Sequence, residues 1–189
     1  SIDENLIIKN KSYYTSGSLG FNYVFNDKHS VGATYEVNIN PYSRGGWNSL
    51  MDVWKNGSKT ESYTNDMYCR FKSRPTQDIT AYYAGQIGKV SIEWNGEIYL
   101  RKTGQTQYSE ETGIEGGDSR TIESDFTADS WMHASKLVLS FPVWKGTLKV
   151  GNEFTESCRA NLYTIDEQGT DLPGKTDDQV KESNLAAFV

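Results

Sequence analysis

The chain has 189 residues, enough for one domain, and 36% of them are hydrophobic, with a mean hydropathy of -0.65. No window approaches the roughly 20 continuous apolar residues of a membrane-spanning helix, which excludes helical spans but not a membrane barrel, where only alternate strand residues meet lipid. A net charge of -6 with a pI near 5.0 argues against nucleic acid as a partner, which would need a basic stripe.

The first predicted element is a hairpin over residues 17–39, "GSLGFNYVFNDKHSVGATYEVNI". It carries Leu19, Phe21, Tyr23 and Phe25 on one parity, a turn at Asn26-Asp27-Lys28-His29, and then Val31, Ala33, Tyr35, Val37 and Ile39. Strict alternation means one apolar and one polar face, because side chains of a strand point to opposite sides with a period of two. The segment that follows, "NPYSRGGWNSLMDVWKNGSKTES" at 40–62, has the composition of a long loop. Within it, Tyr42, Trp47 and Trp54, beside Arg44 and Lys55, offer flat apolar rings with polar handles. Tyr42, Arg44, Trp47 and Trp54 are therefore the candidate ligand contacts, for a sugar ring or another planar molecule. The alternative is that these rings fold the loop onto its neighbours or anchor it at a membrane boundary.

A second hairpin is predicted over 63–102. Its strand pair Ile79, Ala81, Tyr83 and Val90, Ile92, Trp94, Ile98, Leu100 is opposed by Ser91, Glu93, Asn95, Glu97 and Arg101, and Pro75 calls for a bulge or a late strand start. After a second polar stretch at 103–124 comes a third hairpin, 126–163, with Leu137, Leu139 and Phe141 before its turn and Leu148, Val150 and Phe154 after it. A third polar stretch covers 164–181, and another strand begins at 182–189. The expected fold is an all-β, antiparallel up-and-down meander of about six long strands, with short turns at one end and long loops at the other. That asymmetry matches an outer-membrane barrel, apolar outside and polar inside, better than a sandwich, which would spread its loops over both ends.

Nothing in the residues spells an active site, and no enzyme is expected. His29 and His133 have no nucleophile at a telling spacing. The acidic runs "SEETGIEGGD" and "DEQGTDLPGKTDD" do not fit a twelve-residue calcium loop, and neither a metal nor a cofactor is expected. Cys69 and Cys158 form no CxxC pair, and whether they pair with each other is left open.

"YYAGQIGKVSIEWNGEIYL", "FPVWKGTLKVGNEF" and "VKESNLAAFV" together resemble the outer-membrane β-barrel family of Bacteroidetes, whose barrels are similar to those of TonB-dependent receptors. The resemblance implies an outer-membrane location in a Gram-negative bacterium and a barrel of about 22 strands. It also implies a role in receptor-mediated uptake of an unidentified ligand. The whole chain, 1–189, would then be one internal segment of that barrel. Its partners would be lipid, the remaining strands, and a TonB-type coupling protein reached through regions outside the chain. The other function class consistent with the residues is a soluble all-β carbohydrate-binding or adhesin-like module. Cut from a barrel, such a segment is expected to self-associate through its apolar face and open edges.

Overall fold

The computed structural model describes residues 2–72, 74–167 and 174–189. They form one antiparallel sheet of eight strands: β1 (Ile2–Asn26), β2 (His29–Lys55), β3 (Ser58–Lys72), β4 (Thr76–Ile87), β5 (Val90–Glu115), β6 (Arg120–Val143), β7 (Gly146–Glu167) and β8 (Lys175–Phe188). The all-β meander is as the alternation predicts. β3 and β4 both lie between β2 and β5, with β3 on Arg44–Lys55 of β2 and β4 on His29–Asn38. They are two halves of one strand position, broken around Pro75, which has no N–H to give a ladder.

The long loops expected at 40–62, 103–124 and 164–181 are where sequence and structure part. β2 runs unbroken to Lys55 and β3 starts at Ser58, so the first of these stretches is two paired strands joined at Asn56-Gly57. Both turn residues have positive φ, 52° and 81°, as a two-residue type I′ turn requires. The second stretch continues β5 and β6 up to a turn at 116–119. In the third, β7 extends to Glu167 and β8 starts at Lys175, with 168–173 outside the described residues. Short turns therefore close β2–β3 and β5–β6 at the far end, as others do at the near end. The physical reason is that a ladder needs backbone pairing, not an apolar face, and a strand wetted on both sides loses its alternation.

The register brings the apolar residues of every hairpin onto one face. One row across the sheet reads Phe21, Ala33, Ala81, Gly96, Ser135, Phe154, Leu185, and the next reads Tyr23, Val31, Tyr83, Trp94, Leu137, Asn152, Ala187. A row through Ile92, Leu139 and Val150 and the pairs Ile87–Val90 and Phe141–Leu148 complete the strip towards the turns. Its far border is sharp. Leu100 pairs with Trp131, whereas two residues further along the same face Lys102 pairs with Asp129, joined by an ion pair of 2.8 Å. From Val90 to Leu100 the strip spans the 9–11 residues that a tilted transmembrane strand uses, about 30 Å of bilayer core.

Among the described residues nothing covers this strip. Among the described residues the only buried hydrophobic side chains are Cys69, Ala128 and Cys158, while Leu19 is 78% exposed and Leu185 76% exposed. A domain with a core of its own needs a second layer packed on the first, and this sheet has none. The sheet is also open, since β1 and β8 stand at its two edges and do not pair with each other among the described residues. Cys69 and Cys158 are both free thiols. They lie on β3 and β7 with β5 and β6 between them, about 14 Å apart across the ladder alone and beyond disulfide reach.

Candidate functional site

The four candidate ligand contacts all fall on β2, but a bulge decides how they are distributed. Thr15 pairs with Ile39 and Tyr13 with Tyr42, so β2 carries one extra residue at Asn40–Pro41 and its parity flips there. Beyond the bulge Arg44 and Trp54 share the face of the apolar strip, and Trp47 belongs to the opposite face. Arg44 and Trp54 are ten residues apart on one strand, about 33 Å. The four therefore do not form one cluster; the side chain of Tyr42 lies outside the described residues.

Arg44 does have a local site, built from three strands. Lys11 pairs with Arg44 and Arg44 with Arg70, while Lys9 pairs with Gly46 and Gly46 with Tyr68. The result is a shallow groove of about 230 Å³ lined by Lys9, Lys11, Arg44, Gly46 and Tyr68. Gly46 forms its floor, where an added Cβ would meet nothing closer than the Met67 carbonyl at 3.4 Å. The Arg44 guanidinium lies over the Tyr68 ring at 5.3 Å, and the Lys11 ammonium over Tyr13 at 5.4 Å. Three cations around a glycine floor and an aromatic wall suit an anion on a flat or ring-shaped body. Nothing local in the sequence marks Lys9, Lys11 and Tyr68, and only the register, which brings residues from three distant segments together, reveals them.

Beside this groove the same face turns acidic. Tyr108, 6.4 Å from Tyr68 between ring centres, donates its hydroxyl proton to Glu123, and that bond and the carboxylate's charge raise its pKa. Asp125 accepts from Lys72 at 2.5 Å and from Thr106 at 2.5 Å; these two bonds hold its carboxyl below the ordinary carboxylate range. A carboxylate with a lowered pKa adds stability above its ordinary pKa and gives it up as the pH falls through its own, lower value. Lys72→Ala should move the Asp125 titration upward, towards the ordinary range, in a carboxyl-carbon NMR titration. An unmoved titration would mean that Lys72 does not hold it.

The polar face carries a larger trough of about 480 Å³, lined by Asn22, Thr34, Tyr82, Asn95, Glu97 and Lys136 among others. Its residues follow from alternation: Asn22, Gly32, Tyr82, Asn95, Lys136 and Glu153 make one row across six strands. Lys136 bonds Glu153 at 3.2 Å, and the Tyr82 hydroxyl donates to Asn22. The Tyr82 ring lies over Gly32, where a Cβ would collide with it, so glycine and aromatic interlock across the ladder. On the apolar face Trp94 covers Gly96, and its indole N–H donates to Ser135 at 3.0 Å. His29, read in the sequence as part of a turn, is at the start of β2 and bonds the Tyr83 hydroxyl at 2.8 Å. His133, on β6, faces Glu156 across the ladder, and with Asn152 they are polar exceptions in the strip. The acidic run at 109–118 is divided between β5 and the turn after it. Among the described residues no group of three potential ligands could hold a metal ion.

No family model matches the chain, and no curated protein does. Among solved structures, the ferric yersiniabactin uptake receptor FyuA from Yersinia pestis is similar at a TM-score of 0.24 and 10% identity, over 97% of this chain and 42% of that one. The chain thus spans less than half the length of that receptor. At this level the likeness carries no argument about ligand or activity.

Proposed function

We propose that the chain is a wall segment of an outer-membrane β-barrel of the receptor or transporter type, taking part in uptake of a ligand across the outer membrane. The observation that carries this reading is the apolar strip: one face of a single-layer sheet, apolar from Val90 to Leu100 and bounded by the Lys102–Asp129 ion pair. Lipid against that strip satisfies it without a second protein layer, and the trough on the other face suits a hydrated interior. A soluble carbohydrate-binding or adhesin-like module would need a second layer over the same residues. The open edges of β1 and β8 then pair with the strands that continue the barrel, and energy coupling of the TonB type belongs to regions outside this chain. The protein should fractionate with the outer membrane of its Gram-negative source and resist alkaline carbonate extraction. Recovery as a soluble periplasmic or secreted protein would favour the soluble module instead.

Without lipid the same strip and edges should drive association between copies, by edge pairing or by packing the apolar faces at about 10 Å. Light scattering during size exclusion without detergent is expected to give a mass that rises with protein concentration. A constant monomer mass with no binding of an apolar dye would contradict an uncovered strip.

A further inference from the structure

We infer that the near end of the sheet, where three two-residue turns carry Lys28, Lys89 and Lys145, docks on the headgroups of anionic phospholipids; the inference rests on the lipid-facing reading of the strip. The turns are Asp27-Lys28, Gly88-Lys89 and Trp144-Lys145, and each has a lysine as its second residue. They join β1 to β2, β4 to β5 and β6 to β7, so neighbouring turns are two strand spacings apart, about 10 Å along the rim. Asp27 is the only carboxylate within residues 25–30, 86–91 and 142–147. In a chain of net charge -6, this end is the positive one.

None of the three lysines takes part in an ion pair among the described residues. The apolar strip begins directly behind them, at Ile87, Val90, Phe141 and Leu148, which puts the ammonium groups at headgroup depth when the strip is in hydrocarbon. Trp144 marks the same level. It is fully exposed, at 102%, and sits at φ 52°, a strained conformation for a bulky residue. A glycine would suit that turn position better, and an indole there is placed for the membrane–water boundary, where tryptophan is favoured.

The test uses the 189-residue chain with vesicles of phosphatidylcholine alone and of phosphatidylcholine mixed with phosphatidylglycerol. The triple variant Lys28→Gln, Lys89→Gln, Lys145→Gln should bind the anionic vesicles about two orders of magnitude more weakly, about fivefold for each lysine near an anionic surface. A variant with Lys55, Lys59 and Lys175 changed to Gln, equal in charge but at the far end, should bind as the unaltered chain does. Added salt should abolish the preference of the unaltered chain for anionic vesicles, a readout that needs no substitution. Equal binding to both vesicles, or equal losses in both variants, would overturn the inference while leaving the lipid-facing strip intact. Binding to neither vesicle would overturn the strip reading as well.

Discussion

Leu137→Arg is expected to cost about 2 to 4 kcal/mol of stability in a lipid bilayer, the cost of an arginine on the lipid face near mid-depth, whereas Asn95→Arg should cost much less. Leu137 pairs with Trp94 in the middle of the apolar strip, and Asn95 pairs with Lys136 one row away on the polar face. Depth is therefore nearly the same for both, and only the face differs. Leu137 borders no protein layer, so in water an arginine there could extend into solvent at small cost. The penalty should appear on folding into vesicles and nearly vanish without lipid. Denaturant titration of both variants in each condition measures it, and equal costs for the two positions in lipid would contradict the assignment of faces.

Gly151→Val should destabilise the sheet by about 1 to 3 kcal/mol, the usual cost of forcing extra atoms into an occupied site. A Cβ at Gly151 would stand 2.6 Å from the Leu137 carbonyl oxygen and collide with the Phe188 ring. The ring can rotate away, but the carbonyl belongs to the β6–β7 ladder and cannot move without loosening it. Gly17 is the matched control, since nothing lies within 4 Å of its added Cβ. Gly17→Val should be neutral or slightly stabilising, as valine suits a strand better than glycine does. Urea titration of the two variants checks both expectations; equal destabilisation would mean that strand flexibility, not crowding, sets the cost.

The half of each strand that was legible in the sequence is the half with two different environments. Leu19 to Phe25, Ile79 to Tyr83, Val90 to Leu100 and Leu137 to Phe141 alternate because one face is apolar and the other wet, and the register joins them into one strip. Beyond the Lys102–Asp129 row the face of the strip turns largely polar, while Trp47, Met67, Cys69 and Phe126 fall on the opposite face, so the alternation no longer marks one continuous apolar side although the backbone ladder continues. Those residues read as loops although their backbones are paired to the far turns. A local signal was present even so: Asn56-Gly57 is the strongest two-residue hairpin sequence, and it lay inside the first supposed loop. Pro75 spoke correctly for itself, as β3 ends and β4 begins around it. The groove at Arg44 was half legible. Arg44 stood out beside aromatic residues, but Lys9, Lys11 and Tyr68 reach it only through pairing across 24 to 35 residues of chain, set by the β2 bulge and the strand order.

Spin labels placed one at a time along β5, from Val90 to Gln105, in a chain whose Cys69 and Cys158 are replaced by Ser and which is folded into lipid vesicles, test the lipid-facing strip most directly. Labels at 90, 92, 94, 96, 98 and 100 should be accessible to oxygen dissolved in the bilayer and shielded from a water-soluble nickel reagent. Labels at 91, 93, 95, 97 and 99 should show the opposite preference. The alternation should end at 102, where Lys102 meets Asp129, and labels beyond it should favour the nickel reagent on both parities. Equal accessibility at odd and even positions between 90 and 100, or alternation continuing unchanged to 105, would contradict a membrane wall whose lipid contact stops at the Leu100–Trp131 row.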